Sequence, residues 1–235
     1  MSGKDETPGA PAARGRILVW DAPVRVFHWL MVLCFATAWV TGDSDRWALL
    51  HITAGYTMGG LVVFRLVWGA AGTRYARFAA FVTGPGTVIA YVRDLLARRP
   101  QHHVGHNPAG ALAIVALLAL TAVVTATGWA LQENLAGHWL EEFHEASAEI
   151  MLVVVGIHIA GVIVSSWLHR ENLVRAMITG RKAGVPDEGI PRSRRILAAL
   201  LLIAVLAFWG WTWLNRPAAG ADADSAARPT HTTQA

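Results

Sequence analysis

Glu142-Phe143-His144-Glu145-Ala146-Ser147-Ala148-Glu149-Ile150-Met151-Leu152-Val153-Val154-Val155-Gly156-Ile157-His158-Ile159-Ala160-Gly161-Val162-Ile163-Val164-Ser165-Ser166-Trp167-Leu168 is a largely apolar run carrying two histidines fourteen residues apart. At a rise of about 1.5 Å and a turn of about 100° per residue, that spacing predicts about 21 Å of axial separation with only about 40° of rotation. His144 and His158 are therefore expected on the same face of one helix. The run is long enough to cross a hydrocarbon core of about 30 Å. An ionisable side chain within a span is costly, so it points to function by default. Two at this spacing suggest two stacked cofactors, most naturally two haems.

The rest of the chain fits this setting. Of its 235 residues 54% are hydrophobic and 11 are Trp. Together with a positive mean hydropathy, this predicts an all-α integral membrane protein with several spans. Lipid cannot satisfy backbone polar groups, and no alternating strands of a barrel are visible, so each span must be helical. Five spans are expected, over residues 24–41, 47–69, 109–131, 142–168 and 196–214. Residues 87–99 read as an amphipathic interfacial helix. The single cysteine, Cys34, lies in the first span and excludes both an internal disulfide and a thiolate-ligated iron–sulfur cluster. Residues 1–16 read as a disordered leader without the apolar region of a signal peptide.

Lysine and arginine placement predicts the orientation. Sixteen of them fall before or at the start of the first span, between the second and third, and between the fourth and fifth; three (Arg46, Arg216 and Arg228) fall on the other side. That second side also holds Asp43, Asp45, Glu133, Glu141, Glu142, Asp222 and Asp224. The bias predicts a cytoplasmic N-terminus and a periplasmic C-terminus. The net charge of +4 then reflects topology and anionic headgroups rather than nucleic acid.

Two more histidines lie within the spans. His28 comes early in the first span, toward the cytoplasmic side, whereas His51 opens the second, near the outer side. The fourth span runs inward, so His144 is near the outer boundary and His158 deeper. Depth alone then predicts two pairs: His51 with His144 outside, and His28 with His158 inside. Opposed imidazoles suit bis-histidine ligation of a six-coordinate haem, which favours electron transfer because no axial position remains for substrate. Two irons about 21 Å apart along the membrane normal would form a two-step conduit. Zinc fits poorly, because its structural sites need four protein ligands and each depth offers two. A proton relay is chemically open to histidine, but membrane carboxylates are sparse. Glu149 is the one well inside a span, and it reads as a contact to the fifth.

Other residues have two readings each. His51, Gly55 and Gly59 make a stripe at intervals of four on which a flat macrocycle or a neighbouring helix could rest. Arg65, fourteen residues after His51, lies at the depth of the inner pair, where it could bind a haem propionate or a quinone headgroup, or snorkel to the lipid headgroups. His102, His103 and His106 read as a solvated basic loop, with His106 nearest the inner cofactor. His138 and His169 are interfacial, and His231 is in the tail. Trp209, Trp211 and Trp213 form an aromatic belt at the outer end of the fifth span.

The run Val19-Trp20-Asp21-Ala22-Pro23-Val24-Arg25-Val26-Phe27-His28-Trp29 resembles the opening of the bacterial cytochrome b561 family. The branch it is most similar to includes the b-type cytochrome subunits of nickel–iron hydrogenases. Phe64-Arg65-Leu66-Val67-Trp68-Gly69, Gly105-His106-Asn107-Pro108-Ala109-Gly110 and Glu171-Asn172-Leu173-Val174-Arg175 through Gly180 extend the likeness. It implies a four-helix transmembrane bundle holding two b-type haems, with the ligand positions falling on His28, His51, His144 and His158. The expected organisation is a leader over 1–16, a cytochrome b561-like domain over 17–182, a cytoplasmic linker over 183–195, an extra transmembrane helix over 196–214 and a periplasmic tail over 215–235. Two features depart from the family pattern: a very short connection between the first two spans, and the fifth span with its tail.

The expected function is electron transfer across the bacterial cytoplasmic membrane between the quinone pool and a redox partner. That partner would be a periplasmic protein, a hydrogenase-like dehydrogenase or a c-type cytochrome. Beyond membrane lipid and quinone, self-association is open, and nucleic acid is not expected as a partner. The resemblance also permits a stand-alone superoxide:quinone oxidoreductase, although the acidic outer side would repel superoxide. A non-redox membrane scaffold is the remaining class.

Overall fold

The computed structural model describes residues 15–97 and 103–216. Its elements in order are β1 (Gly15–Leu18), α1 (Ala22–Thr41), α2 (Ala48–Ala71), α3 (Pro85–Leu96), α4 (Pro108–Gln132), α5 (His138–Leu168), α6 (Leu173–Thr179), β2 (Arg181–Gly184) and α7 (Arg195–Leu214). Five helical segments are long and apolar enough to span a membrane, and they contain α1, α2, α4, α5 and α7. The five expected spans are all present, with ends displaced by four residues at most. The protein is a multi-pass helical membrane protein.

Local chemistry fixes the helix starts. Asp21 caps α1 by accepting the Val24 N–H at 2.9 Å, with Pro23 in the first turn. Asn107 does the same for α4 through the Gly110 N–H at 2.7 Å, followed by Pro108. Such caps satisfy N–H groups that a helix leaves orphaned, and proline there gives up only a donor that has no partner. A short 3₁₀ turn, Asp45–Trp47, connects α1 to α2, which forces these two helices to run antiparallel as neighbours.

In the bundle α1 packs on α2, α2 on α4 and α4 on α5, with α7 laid mainly against α1. The helices carrying the expected partners, α1 with α5 and α2 with α5, are not among the closely packed pairs. That leaves room between them where a flat group would sit. The Trp209 Nε1–H of α7 donates to Thr57 Oγ1 of α2 at 2.8 Å, anchoring the fifth span to the bundle. Glu149 is solvent- or lipid-exposed on α5, and α7 docks elsewhere, so the expected contact between Glu149 and the fifth span is not its main packing.

The basic side is more ordered than composition suggests. β1 pairs antiparallel with β2 from Gly15↔Gly184 to Leu18↔Arg181, so residues 15 and 16 are strand rather than leader. Residues 183–195, expected as a linker, include the end of β2 and a 3₁₀ turn, Pro186–Glu188. The Ile190 N–H donates to the Leu18 carbonyl at 2.8 Å. Composition could not reveal this, because each strand's partner lies far away in sequence. Residues 1–14, 98–102 and 217–235, which include Arg98, Arg99, His102, His231 and the tail, lie outside the described residues. α3 exposes Ile89 at 62% and Val92 at 39%, an apolar face suited to the membrane interface.

Candidate cofactor site

His51 lies in the first turn of α2, and its Nδ1 is 2.9 Å from the Ala38 carbonyl of α1. A carbonyl only accepts, so Nδ1 carries the hydrogen and Nε2 keeps its lone pair. His144 of α5 has its Nδ1 2.9 Å from Thr127 Oγ1 of α4. The Thr127 hydroxyl has its own acceptors, the Val123 and Val124 carbonyls at 2.9 and 3.0 Å. Thr127 therefore accepts from His144 Nδ1–H, and this ring too is left with a lone pair on Nε2. Such hydrogen bonds, which set the tautomer and ring orientation, are the usual support of metal-bound histidine.

The two rings stand 6.4 Å apart between centres, with an interplanar angle of 72°. Two metal–imidazole bonds of about 2 Å each, plus the distance from each nitrogen to its ring centre, give about 6 Å. The spacing therefore fits one metal held between the two imidazoles. The backbone makes room for the arrangement. A Cβ at Gly128 would lie 3.0 Å from His144 Cε1, whereas one at Gly55, a turn below His51, would meet nothing within 4 Å. At Gly59 a Cβ would lie 3.6 Å from Thr125 of α4. Gly55 thus borders open space and Gly59 a neighbouring helix, so the stripe divides between its two readings.

His28 and His158 come within electrostatic range of each other toward the basic end. His28 Nδ1 is sealed from solvent and has no hydrogen-bond partner, as expected of a polar atom facing a group that the polypeptide does not supply. Between the two levels the bundle is filled by Cys34, Ala54, Met58 and Met151, with Phe35, Leu120 and Val155 packed against them. The four histidines thus fall at two levels separated by an apolar layer. Each level offers two nitrogen donors, the donor set of a six-coordinate haem.

Arg65 is 3% exposed. Its guanidinium lies 4.6 Å over the Phe78 ring and 5.9 Å from the Phe81 centre, and one terminal nitrogen has no partner. It does not snorkel. His106 departs from the solvated loop expected of it, since its ring packs 4.4 Å from Trp20 and 4.6 Å from Phe81. Burial, reinforced by the positive charges of Arg65 and Lys182, pushes its pKa down to about 3. The packing residues come from the β1–α1 junction and the α2–α3 connection, contacts that local composition could not disclose. His103 contributes its carbonyl to Lys182 Nζ at 3.1 Å, and Lys182 also pairs with Glu171 at 3.3 Å. His138 is exposed and bridges Glu141 at 3.0 Å and Glu142 at 3.6 Å. His169 ends α5.

Asp21 is a structural residue of this site that the sequence reading left without a role. Only 1% exposed, it accepts hydrogen bonds from Trp68 Nε1 at 3.0 Å and Thr73 Oγ1 at 2.6 Å in addition to the cap. It thereby ties the start of α1, which carries His28, to the end of α2, which carries Arg65. The Asp-Ala-Pro signature at a helix start was the available signal.

The chain is similar to known proteins over much of its length. The family model for prokaryotic cytochrome b561 matches residues 19–180. The chain is 30% identical over 139 residues to the probable Ni/Fe-hydrogenase 1 B-type cytochrome subunit of Escherichia coli K12, covering 48% of this chain and 59% of that protein. It is 24% identical over 216 residues to the probable Ni/Fe-hydrogenase B-type cytochrome subunit of Rhizobium leguminosarum bv. viciae, covering 72% of this chain and 90% of that one. Its counterpart in Rhodobacter capsulatus is 24% identical over 220 residues, covering 74% and 84%. The chain thus spans somewhat over half of the Escherichia coli relative and most of the other two. No solved structure matches it.

Proposed function

The chain belongs to the prokaryotic cytochrome b561 family, and from that premise we propose that it is a dihaem b-type cytochrome passing electrons across the bacterial cytoplasmic membrane. His51 and His144 would hold the outer haem, and His28 and His158 the inner one. The haems supply one-electron chemistry; the polypeptide supplies ligands, spacing and a low-dielectric surround. The observation that carries the reading is the opposed His51–His144 pair, each ring fixed with Nε2 free. Ala38 and Thr127 hold those rings, and the Met58–Met151 layer keeps water from the space between the two levels.

Electrons would pass between the quinone pool and a redox protein on the periplasmic side; the names of the relatives point to a hydrogenase as that protein. Residues 17–182 would form the cytochrome domain, and residues 196–214 an added span anchored through Trp209 and Thr57. With the basic side cytoplasmic, the N-terminus is inside and the C-terminal tail outside. Arg65 would serve the inner cofactor or a quinone headgroup.

Reduced-minus-oxidised spectra and pyridine haemochrome analysis of the purified full-length chain test this directly. Two b haems per polypeptide are expected, both reducible by quinol in proteoliposomes. Fewer than two in fully loaded protein, or two that quinol cannot reduce, would overturn the reading.

A further inference from the structure

The described residues contain four buried side-chain polar atoms with no hydrogen-bond partner: His28 Nδ1, Arg65 Nη1, Tyr91 Oη and His106 Nδ1. Two of these residues flank one ring. Arg65 lies 5.9 Å from the centre of Phe81, and His106 lies 4.6 Å from the same centre. His106 is also within electrostatic reach of Arg65, His28 and His158. Two unpartnered nitrogens thus sit around Phe81, on the basic side of the inner histidines.

A buried guanidinium without a counter-charge is strongly unfavourable. The described residues provide no acid within ion-pair distance of Arg65. The acid whose charge reaches it is Asp21, whose carboxylate already accepts from Val24, Trp68 and Thr73. Stacking on Phe78 offsets part of the penalty but leaves the nitrogen unpaired. The missing partner is therefore anionic and small enough to reach nitrogens set beside Trp20, Phe78 and Phe81. It must also accept from more than one donor. A quinone carbonyl would satisfy a hydrogen bond but leave the guanidinium charge uncompensated, whereas a carboxylate supplies both.

We propose that Arg65 and His106 form a carboxylate-binding site, and that the carboxylate is a propionate of the inner haem; the identity of the ligand rests on the dihaem reading above. Arg65 supplies the charge, and His106, wedged between Trp20 and Phe81, supplies a directed N–H. Through this contact both residues position the inner haem and set its potential. His106 also couples the β1–α1 junction to that haem, because Trp20 is one wall of its slot.

The test is redox titration of both haems in full-length protein in membranes, comparing wild type with Arg65→Gln, Arg65→Lys and His106→Phe. His106→Phe keeps the packing on Trp20 and Phe81 and removes only the N–H. Loss of a positive charge or donor beside a propionate favours the oxidised haem. Arg65→Gln and His106→Phe are thus expected to lower the potential of one and the same haem, by about 59 mV for each tenfold change in its reduction equilibrium. The other potential stays fixed, both low-spin spectra are retained, and Arg65→Lys restores part of the shift. Unmoved potentials together with a raised KM for quinol would overturn the proposal in favour of a quinone site. Equal shifts of both haems would overturn it in favour of a diffuse charge effect. Should Arg65→Gln fail to accumulate, His106→Phe decides the matter by the same criterion. Fewer than two haems in wild type is a separate result, and it overturns the dihaem reading itself.

Discussion

Trp68 at the end of α2 donates its Nε1–H to Asp21 at the foot of α1 at 3.0 Å. Thr73 and the Val24 N–H share the same carboxylate, so a single side chain caps one helix and clamps it to its neighbour. Asp21→Ala would strand three donors in a buried site. The expected destabilisation is about 2–4 kcal/mol, combining a lost cap with unsatisfied groups. Asp21→Asn, which keeps an acceptor at the cap, should lose less. Thermal unfolding in detergent measures both, and an Asp21→Ala protein as stable as wild type would refute the clamp.

Removing ligands should separate the two haem sites. His144→Ala is expected to lose one haem and keep the other, and His158→Ala to do the reverse. Equal loss of both haems in each variant, at normal protein levels, would argue against separate sites.

Thr127 acts on the outer site through His144 alone. Thr127→Val keeps the shape of the side chain but removes the oxygen that fixes the ring. Loss of such a supporting hydrogen bond typically weakens metal binding by about 10–100-fold. Haem retention on dilution into haem-free detergent should fall for one haem and not the other.

The glycines of the bundle differ in what a methyl group would do. Gly128→Ala places a carbon 3.0 Å from His144 Cε1, so the ring must move, and a heterogeneous or depleted outer haem is expected in electron paramagnetic resonance spectra. Gly59→Ala brings its carbon 3.6 Å from Thr125, an ordinary contact, and should leave those spectra unchanged.

Tyr91 of α3 is 4% exposed, and its hydroxyl has no partner. Tyr91→Phe should therefore preserve or raise stability, by up to about 1 kcal/mol. Burial also raises the Tyr91 pKa above its ordinary 10.0. The unfolded chain then ionises first as pH climbs. The corresponding stability is fully present below pH 10 and drains away above it, a loss that Tyr91→Phe should lack. Melting curves of both proteins from pH 8 to 11 give the comparison.

What was legible in the sequence follows from how local each signal is. The spans are written in long apolar runs, and the His51–His144 encounter follows from helical rise plus charge asymmetry. Arg65 could be placed by depth, but whether it reached water depended on Phe78 and Phe81, which no periodicity puts over it. His106 looked solvated because its neighbours in sequence are polar; Trp20 and Phe81, which enclose it, lie far away along the chain. The pairing of Gly15 with Gly184 is less visible still, since four-residue strands carry almost no periodic signal of their own. Asp21 was the exception: its place before Ala22-Pro23 announces a cap, though not the two extra donors it gathers.

The short sheet also imposes an order on biogenesis. Leu18 can find Arg181 only after every residue of the four-helix core has left the ribosome. At roughly 5–20 residues per second, β1 waits many seconds before its partner strand is made. During that interval the foot of the first span is held to the second through Asp21, and the strand pairing at the basic end forms last.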